Sequence, residues 1–162
     1  IEIEPGEFLP EAQFRAVPAI FKGLEAEGRF NIANNLDLLV RGDYVHAKDS
    51  RNNDYLPRIS PLRLGAGLQY ALNGFSARID VLRAFNQNNT ATEELQTDGY
   101  TNVSAILAYN LKPVFNTGRF NVELFARANN LLNDEIREHA SFLKDIAPVG
   151  ERSLLLGLRT DF

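Results

Sequence analysis

The chain ends Arg152-Ser153-Leu154-Leu155-Leu156-Gly157-Leu158-Arg159-Thr160-Asp161-Phe162, and the environment of this stretch decides the fold. Counting back from Phe162 in steps of two collects Thr160, Leu158, Leu156 and Leu154; the other parity collects Asp161, Arg159, Gly157, Leu155 and Ser153. A strand has a side-chain period of two, so one face is almost wholly apolar and the other carries charge. Either the apolar face covers a soluble core, or it faces lipid in the closing strand of a transmembrane barrel.

Composition narrows the choice. A chain of 162 residues is long enough for one domain with a core. Its net charge of −4 offers no basic footprint for nucleic acid. Mean hydropathy is −0.22, and no apolar run approaches the roughly 18 residues of a membrane helix. That leaves barrels open, because a barrel strand meets lipid only at every second residue. With no cysteine, disulfide scaffolds and thiolate metal sites are excluded. The opening Ile1-Glu2-Ile3-Glu4 lacks the basic and apolar regions of a signal peptide, which leaves a mature cytosolic protein or a part of a longer one, and a part is expected.

Six further stretches alternate in the same way. They are Phe21 to Phe30, Leu36 to His46, Leu62 to Tyr70, Phe75 to Arg83, Asn102 to Tyr109 and Phe120 to Arg127. Short connections at 31–35, 73–74 and 111–119 alternate with long polar ones at 47–60, 87–99 and 132–151. Asn73-Gly74 is a strong hairpin signal. The fold expected is therefore all-β: an antiparallel transmembrane β-barrel segment of seven strands, with short periplasmic turns and long extracellular loops.

Aromatic placement supports this. Phe30, Tyr70, Phe75, Tyr109, Phe120 and Phe162 all share the apolar parity beside short turns or the terminus. In a barrel they form one ring at the periplasmic interface; a soluble sandwich has no reason to gather them there. Lys22 and Arg83 interrupt the apolar parity, each eight residues from its strand's aromatic. Eight residues of tilted strand climb roughly 20 Å, which suits cations reaching the phosphates of the outer leaflet or, equally, ordinary solvent-facing groups.

The opposite face carries Glu25, Glu27, Arg29, Asp37, Arg41, Asp43, Arg63, Arg78, Asp80, Glu123, Arg127, Arg159 and Asp161. Burying so many charges in a dry core is prohibitive, so this face needs water or a polar plug. Seven strands also leave an open edge in hydrocarbon, which implies a wall segment of a larger barrel.

Several segments resemble TonB-dependent outer-membrane receptors. Asn129-Asn130-Leu131-Leu132-Asn133 with a final strand ending in Phe is similar to the C-terminal end of that family. His139-Ala140-Ser141-Phe142-Leu143-Lys144-Asp145, followed by Pro148-Val149-Gly150-Glu151-Arg152, resembles the narrower branch of ZnuD-like zinc receptors. Phe21 to Phe30 and Pro57 to Gly65 also look typical, so the resemblance covers essentially the whole chain. It implies that residues 1–162 are the C-terminal part of a barrel of about 22 strands, without its plug domain and N-terminal strands. It further implies TonB-energised uptake of a scarce nutrient, zinc or a zinc complex first. A siderophore or heme receptor is the alternative within the family; a passive porin or a soluble β-sandwich binding module are the alternatives outside it. Implied partners are the rest of the receptor, the TonB complex acting through the plug, outer-membrane lipid and lipopolysaccharide, and the barrel-assembly machinery, which would read Phe162.

No nucleophile constellation, phosphate loop or dinucleotide fingerprint is present, so an enzyme is not expected and no resident cofactor is implied. Zinc would be cargo. His139 stands in the longest loop near Asp134, Glu138 and Asp145, donor types that suit zinc; alternatively it is a solvated histidine, or one that holds the loop by hydrogen bonds. His46 falls on the lipid parity at the outer rim, where a rim role is expected rather than ligation. Asp49, Asp54, Glu93 and Glu94 are candidates for attracting cations or simple solvated acids.

Overall fold

A computed structural model describes residues 16–111 and 121–161. The expectations for Ile1 to Glu4, Phe120 and Phe162 fall outside these residues. Seven strands follow in order: β1 (Ala19–Ala33), β2 (Leu36–Asp49), β3 (Arg63–Leu72), β4 (Phe75–Ala84), β5 (Tyr100–Asn110), β6 (Asn121–Asn129) and β7 (Ser153–Asp161). They form one antiparallel meander, each strand hydrogen-bonded to its chain neighbours. Among the described residues β1 and β7 are not paired with each other.

The alternation places each strand and the turns set the register. Asn73 and Gly74 both have positive φ, 48° and 84°, the geometry whose twist matches a tight hairpin. β1 runs three residues further than its polar sequence suggests: Asn31 to Ala33 stay in the strand through a register shift, and the turn tightens onto Asn34 and Asn35 (φ 65°). Such a bulge lets the strand absorb an extra residue without reversing its faces downstream.

Register makes the two faces continuous. Phe30 pairs with Leu38, Leu38 with Leu68, Leu68 with Ile79, Ile79 with Ala105, Ala105 with Ala128 and Ala128 with Leu154. Every member of that row is apolar. It starts near the turn end of β1 and finishes at the loop end of β7, so the strands are staggered as a tilted barrel wall requires. On this face Leu24 and Leu156 are each 74% exposed, so among the described residues no second layer packs against it as a β-sandwich requires.

The small core lies instead at the loop end of the charged face. Ile136, from loop 130–152, is buried against Ala84 and Tyr100, which share that face. The longest loop therefore folds over the charged side of the sheet.

Candidate functional site

Two regions concentrate functional chemistry. The first is the charged face. Its ion pairs follow register: Arg63 stands opposite Asp43 with Nε 3.0 Å from Oδ2, and Arg159 opposite Glu123 with Nη1 3.4 Å from Oε1. Arg29 donates to Asp37 at 3.0 Å, with Asn31 holding the other carboxylate oxygen, and Arg78 grips Asp80 through two nitrogens at 2.6 and 2.7 Å. Among the described residues Glu25, Glu27, Arg41 and Arg127 have no ion-pair partner. Arg41 lies flat over Gly65, where a Cβ would come within 2.8 Å of its side chain. Glu25, Glu27, Arg41, Asp43 and Arg63 border a depression of about 230 Å³ in this wall. A mixed-sign, partly unpaired surface of this kind needs water or a polar plug beside it rather than a dry apolar layer.

The second region is a knot of three long loops around Glu94. Its Oε1 accepts the Arg58 amide at 2.9 Å from loop 50–62 and the Lys144 ammonium at 3.0 Å from loop 130–152. His139 Nε2 reaches the same oxygen at 3.2 Å, while Oε2 accepts the Ala91 amide at 3.1 Å. Lys144 also donates to the Leu95 carbonyl at 2.7 Å. His139 Nδ1 meets the Thr97 hydroxyl at 2.8 Å. Because a carboxylate only accepts, the neutral ring places its proton on Nε2 and takes the Thr97 hydroxyl proton at Nδ1. The His139, Lys144 and Glu94 side chains are all nearly enclosed.

Burial shapes both titrations. Burial pushes the Glu94 carboxyl up, but the Arg58 and Ala91 amides, the Lys144 ammonium and His139 together hold it below its ordinary value. For His139, burial first and the Lys144 charge second favour the neutral ring, against the pull of Glu94 and Asp145, and its pKa falls. His139 is thus a histidine that ties loops together.

The four candidates for zinc are not gathered. Both His139 nitrogens are engaged within the knot, Glu138 and Asp145 are exposed, and Asp134 accepts the Thr101 amide at 2.8 Å. Among the described residues no group of three or more His, Asp or Glu is placed to hold a metal ion. Glu94 was legible only as one acid in an acidic loop. Its role depends on partners 36 and 50 residues away, for which sequence spacing carries no signal.

The Asn-rich segment after β6 has a physical role of its own. Asn130 (φ 48°) and Asn133 (φ 55°) adopt left-handed backbone that Asn tolerates well. Asn130 is buried; its amide donates to the Asp134 and Gly150 carbonyls, and its oxygen accepts the Asp134 amide. Asn133 accepts the Arg152 amide at 3.0 Å, fastening the start of β7.

A family model for the β-barrel of TonB-dependent receptor-like proteins matches residues 6–131. The chain belongs to the TonB-dependent receptor β-barrel family. Its apolar face is thereby the lipid face of an outer-membrane barrel and its charged face the lumen wall. Among solved structures this receptor barrel chain resembles the copper transporter OprC, with a TM-score of 0.74 and 23% identity over 88% of its own length. At that identity the likeness is one of fold, and the chain spans 24% of the OprC chain.

Proposed function

We propose that the chain is the C-terminal wall of an outer-membrane receptor that takes up a scarce transition metal with energy delivered through TonB. The observation that carries this reading is the lumen face: a single-layer barrel wall with paired and unpaired charges around a depression, in a family of TonB-dependent receptors. The barrel supplies passage and binding rather than catalysis, so the parent protein acts as a transporter and not an enzyme. Zinc is the first candidate, on the resemblance of residues 139–152 to zinc receptors; copper is the second, on the fold shared with a copper transporter. In this reading His139 serves the loop knot rather than the metal, because both of its ring nitrogens are engaged there. A plug domain, the remaining strands and the TonB complex are the partners this function requires.

Metal accumulation in cells expressing the whole receptor tests the proposal. Uptake of radioactive zinc or copper at limiting concentration should exceed that of receptor-free cells and should vanish when TonB is removed. Uptake that persists without TonB and extends to unrelated small solutes would make the parent a porin. Competition by a siderophore or heme, without metal-specific uptake, would move the receptor to the other branch of ligands.

A further inference from the structure

Loop 130–152 is built in two parts. Its base is fixed to the barrel wall: the Leu131 amide donates to the Val103 carbonyl at 2.9 Å, the Thr101 amide donates to the Asp134 carboxylate at 2.8 Å, and Ile136 is buried against Ala84 and Tyr100 on the lumen face. Above this base the Val149 amide donates to the Ile136 carbonyl at 2.8 Å and closes a neck. Residues 137–148 lie beyond the neck and hold to one another. Arg137 donates to the Lys144 carbonyl at 2.6 Å, and the Ser141, Ile146 and Ala147 amides find the Glu138 and Leu143 carbonyls.

This tip has no apolar anchor among the described residues. Phe142, Leu143 and Ile146 are each more than half exposed, and between 137 and 148 the buried residues are His139 and Lys144 alone. Both end on loop 85–99, at Glu94, the Leu95 carbonyl and Thr97. Arg58 adds a contact from loop 50–62, its guanidinium lying over the exposed Phe142 ring. A segment held by a few polar contacts opens far below the energy of unfolding the strands beneath it.

The Lys144 ammonium stands 3.4 Å from each His139 ring nitrogen. A proton added at Nδ1 ends its acceptance of the Thr97 hydroxyl and sets a second positive charge beside the first. Glu94 is the one enclosed carboxylate that faces both. Asp145, on the same loop, is exposed and screened, and Arg58 brings a further cation to the rim of the knot. We propose that residues 137–148 are a flap at the extracellular mouth of the lumen, hinged at the Ile136–Val149 neck, latched on Glu94 and released by acid. Closed, the flap narrows the mouth above β4 and β5; released, it leaves the base and the strands in place. The device is the same whichever cargo the receptor carries.

Paired spin labels on the whole receptor in nanodiscs, read by pulsed dipolar spectroscopy, supply the test. Thr92→Cys with Ala140→Cys spans the latch, and Asp98→Cys with Leu132→Cys spans the base; all four positions are exposed. At pH 7.5 the latch pair should give one short distance, and at pH 5 a longer population should join it. Glu94→Gln should raise the ratio of released to closed flap roughly a hundredfold at pH 7.5, because Lys144 is left buried without its carboxylate. His139→Gln should remove the difference between the two pH values. The base distance should hold throughout, with circular dichroism confirming a folded barrel in each variant. A latch distance unchanged by acid or by Glu94→Gln overturns the flap. An acid response that survives in His139→Gln overturns His139 as its trigger, and lengthening of the base pair along with the latch pair overturns the hinge, since the whole loop then unfolds.

Discussion

Glu94 Oε1 lies 3.0 Å from Lys144 Nζ, and this enclosed pair joins two long loops whose residues are 50 positions apart. A buried ion pair is not intrinsically stabilising, because both charges leave water. Removing one partner is different: the survivor stays buried and unpaired. Glu94→Gln or Lys144→Met in the whole receptor should therefore loosen loops 85–99 and 130–152 by about 3–5 kcal/mol of local closure. The double variant should recover much of the loss. Hydrogen exchange resolved by peptide checks this, with β2 to β5 as the unaffected reference. Equal protection in the wild type and both single variants sinks the idea that the pair holds the loops.

The same knot should respond to acid. His139 has its pKa lowered below 6.5 when folded, so the opened loop takes up a proton before the closed one does. Closure is therefore at full strength above pH 6.5 and weakens as pH falls from there toward the folded value. Glu94, lowered from 4.5, adds a second loss that starts near pH 4.5 and acts in the same direction. Loop exchange corrected for its intrinsic pH dependence should rise between pH 7.5 and 5. In His139→Gln that first rise should disappear while the loss at lower pH remains. A wild-type profile flat down to pH 5 contradicts the assignment.

The fold was legible because strand alternation is a local signal with a global consequence. Leu154, Leu156 and Leu158 share a parity in the sequence, and pairing carries that parity unbroken to Leu38 and Phe30 on the far strands. The hairpin at Asn73-Gly74 followed from two residues. The loops were not legible in the same way. Asp134, Glu138, His139 and Asp145 look like a donor set when read along the chain, but a loop has no period to say which side chains converge. Lys144, unremarked between them, takes the place beside His139 that a metal needs, and its carboxylate partner comes from another loop.

Asn130 offers a separate test of how β6 is joined to β7. Three hydrogen bonds and a left-handed backbone converge on one buried side chain. Asn130→Ala leaves buried backbone groups without partners and strains φ, an expected loss of about 2–4 kcal/mol. Asn130→Asp keeps the accepting oxygen but not the donating amide and should fall between the two. Urea-dependent unfolding of the whole receptor in lipid vesicles, followed by far-ultraviolet circular dichroism, gives the order. Asn130→Ala as stable as the wild type would remove the segment's structural role.

The last two strands meet through an inward aromatic. Phe125 pairs with Gly157, and its ring occupies the space a side chain would fill, so a Cβ on Gly157 would overlap the ring. The ring is stiff and its far end is the atom in contact, so the neighbour has to swing away or the strands have to separate. Gly157→Val should therefore impede docking of β7 on β6, seen as less folded receptor in the membrane and faster proteolysis of what remains. Phe125→Ala alone removes the ring from a partly exposed lumen surface and should cost about 1–2 kcal/mol, below the range for a fully buried aromatic. The decisive case is the double variant. With the ring gone, the added Val methyls fit the space above β7 and favour strand backbone, so Phe125→Ala with Gly157→Val should fold better than Gly157→Val alone. If the double variant is as impaired as Gly157→Val, the requirement at position 157 comes from backbone rather than from Phe125.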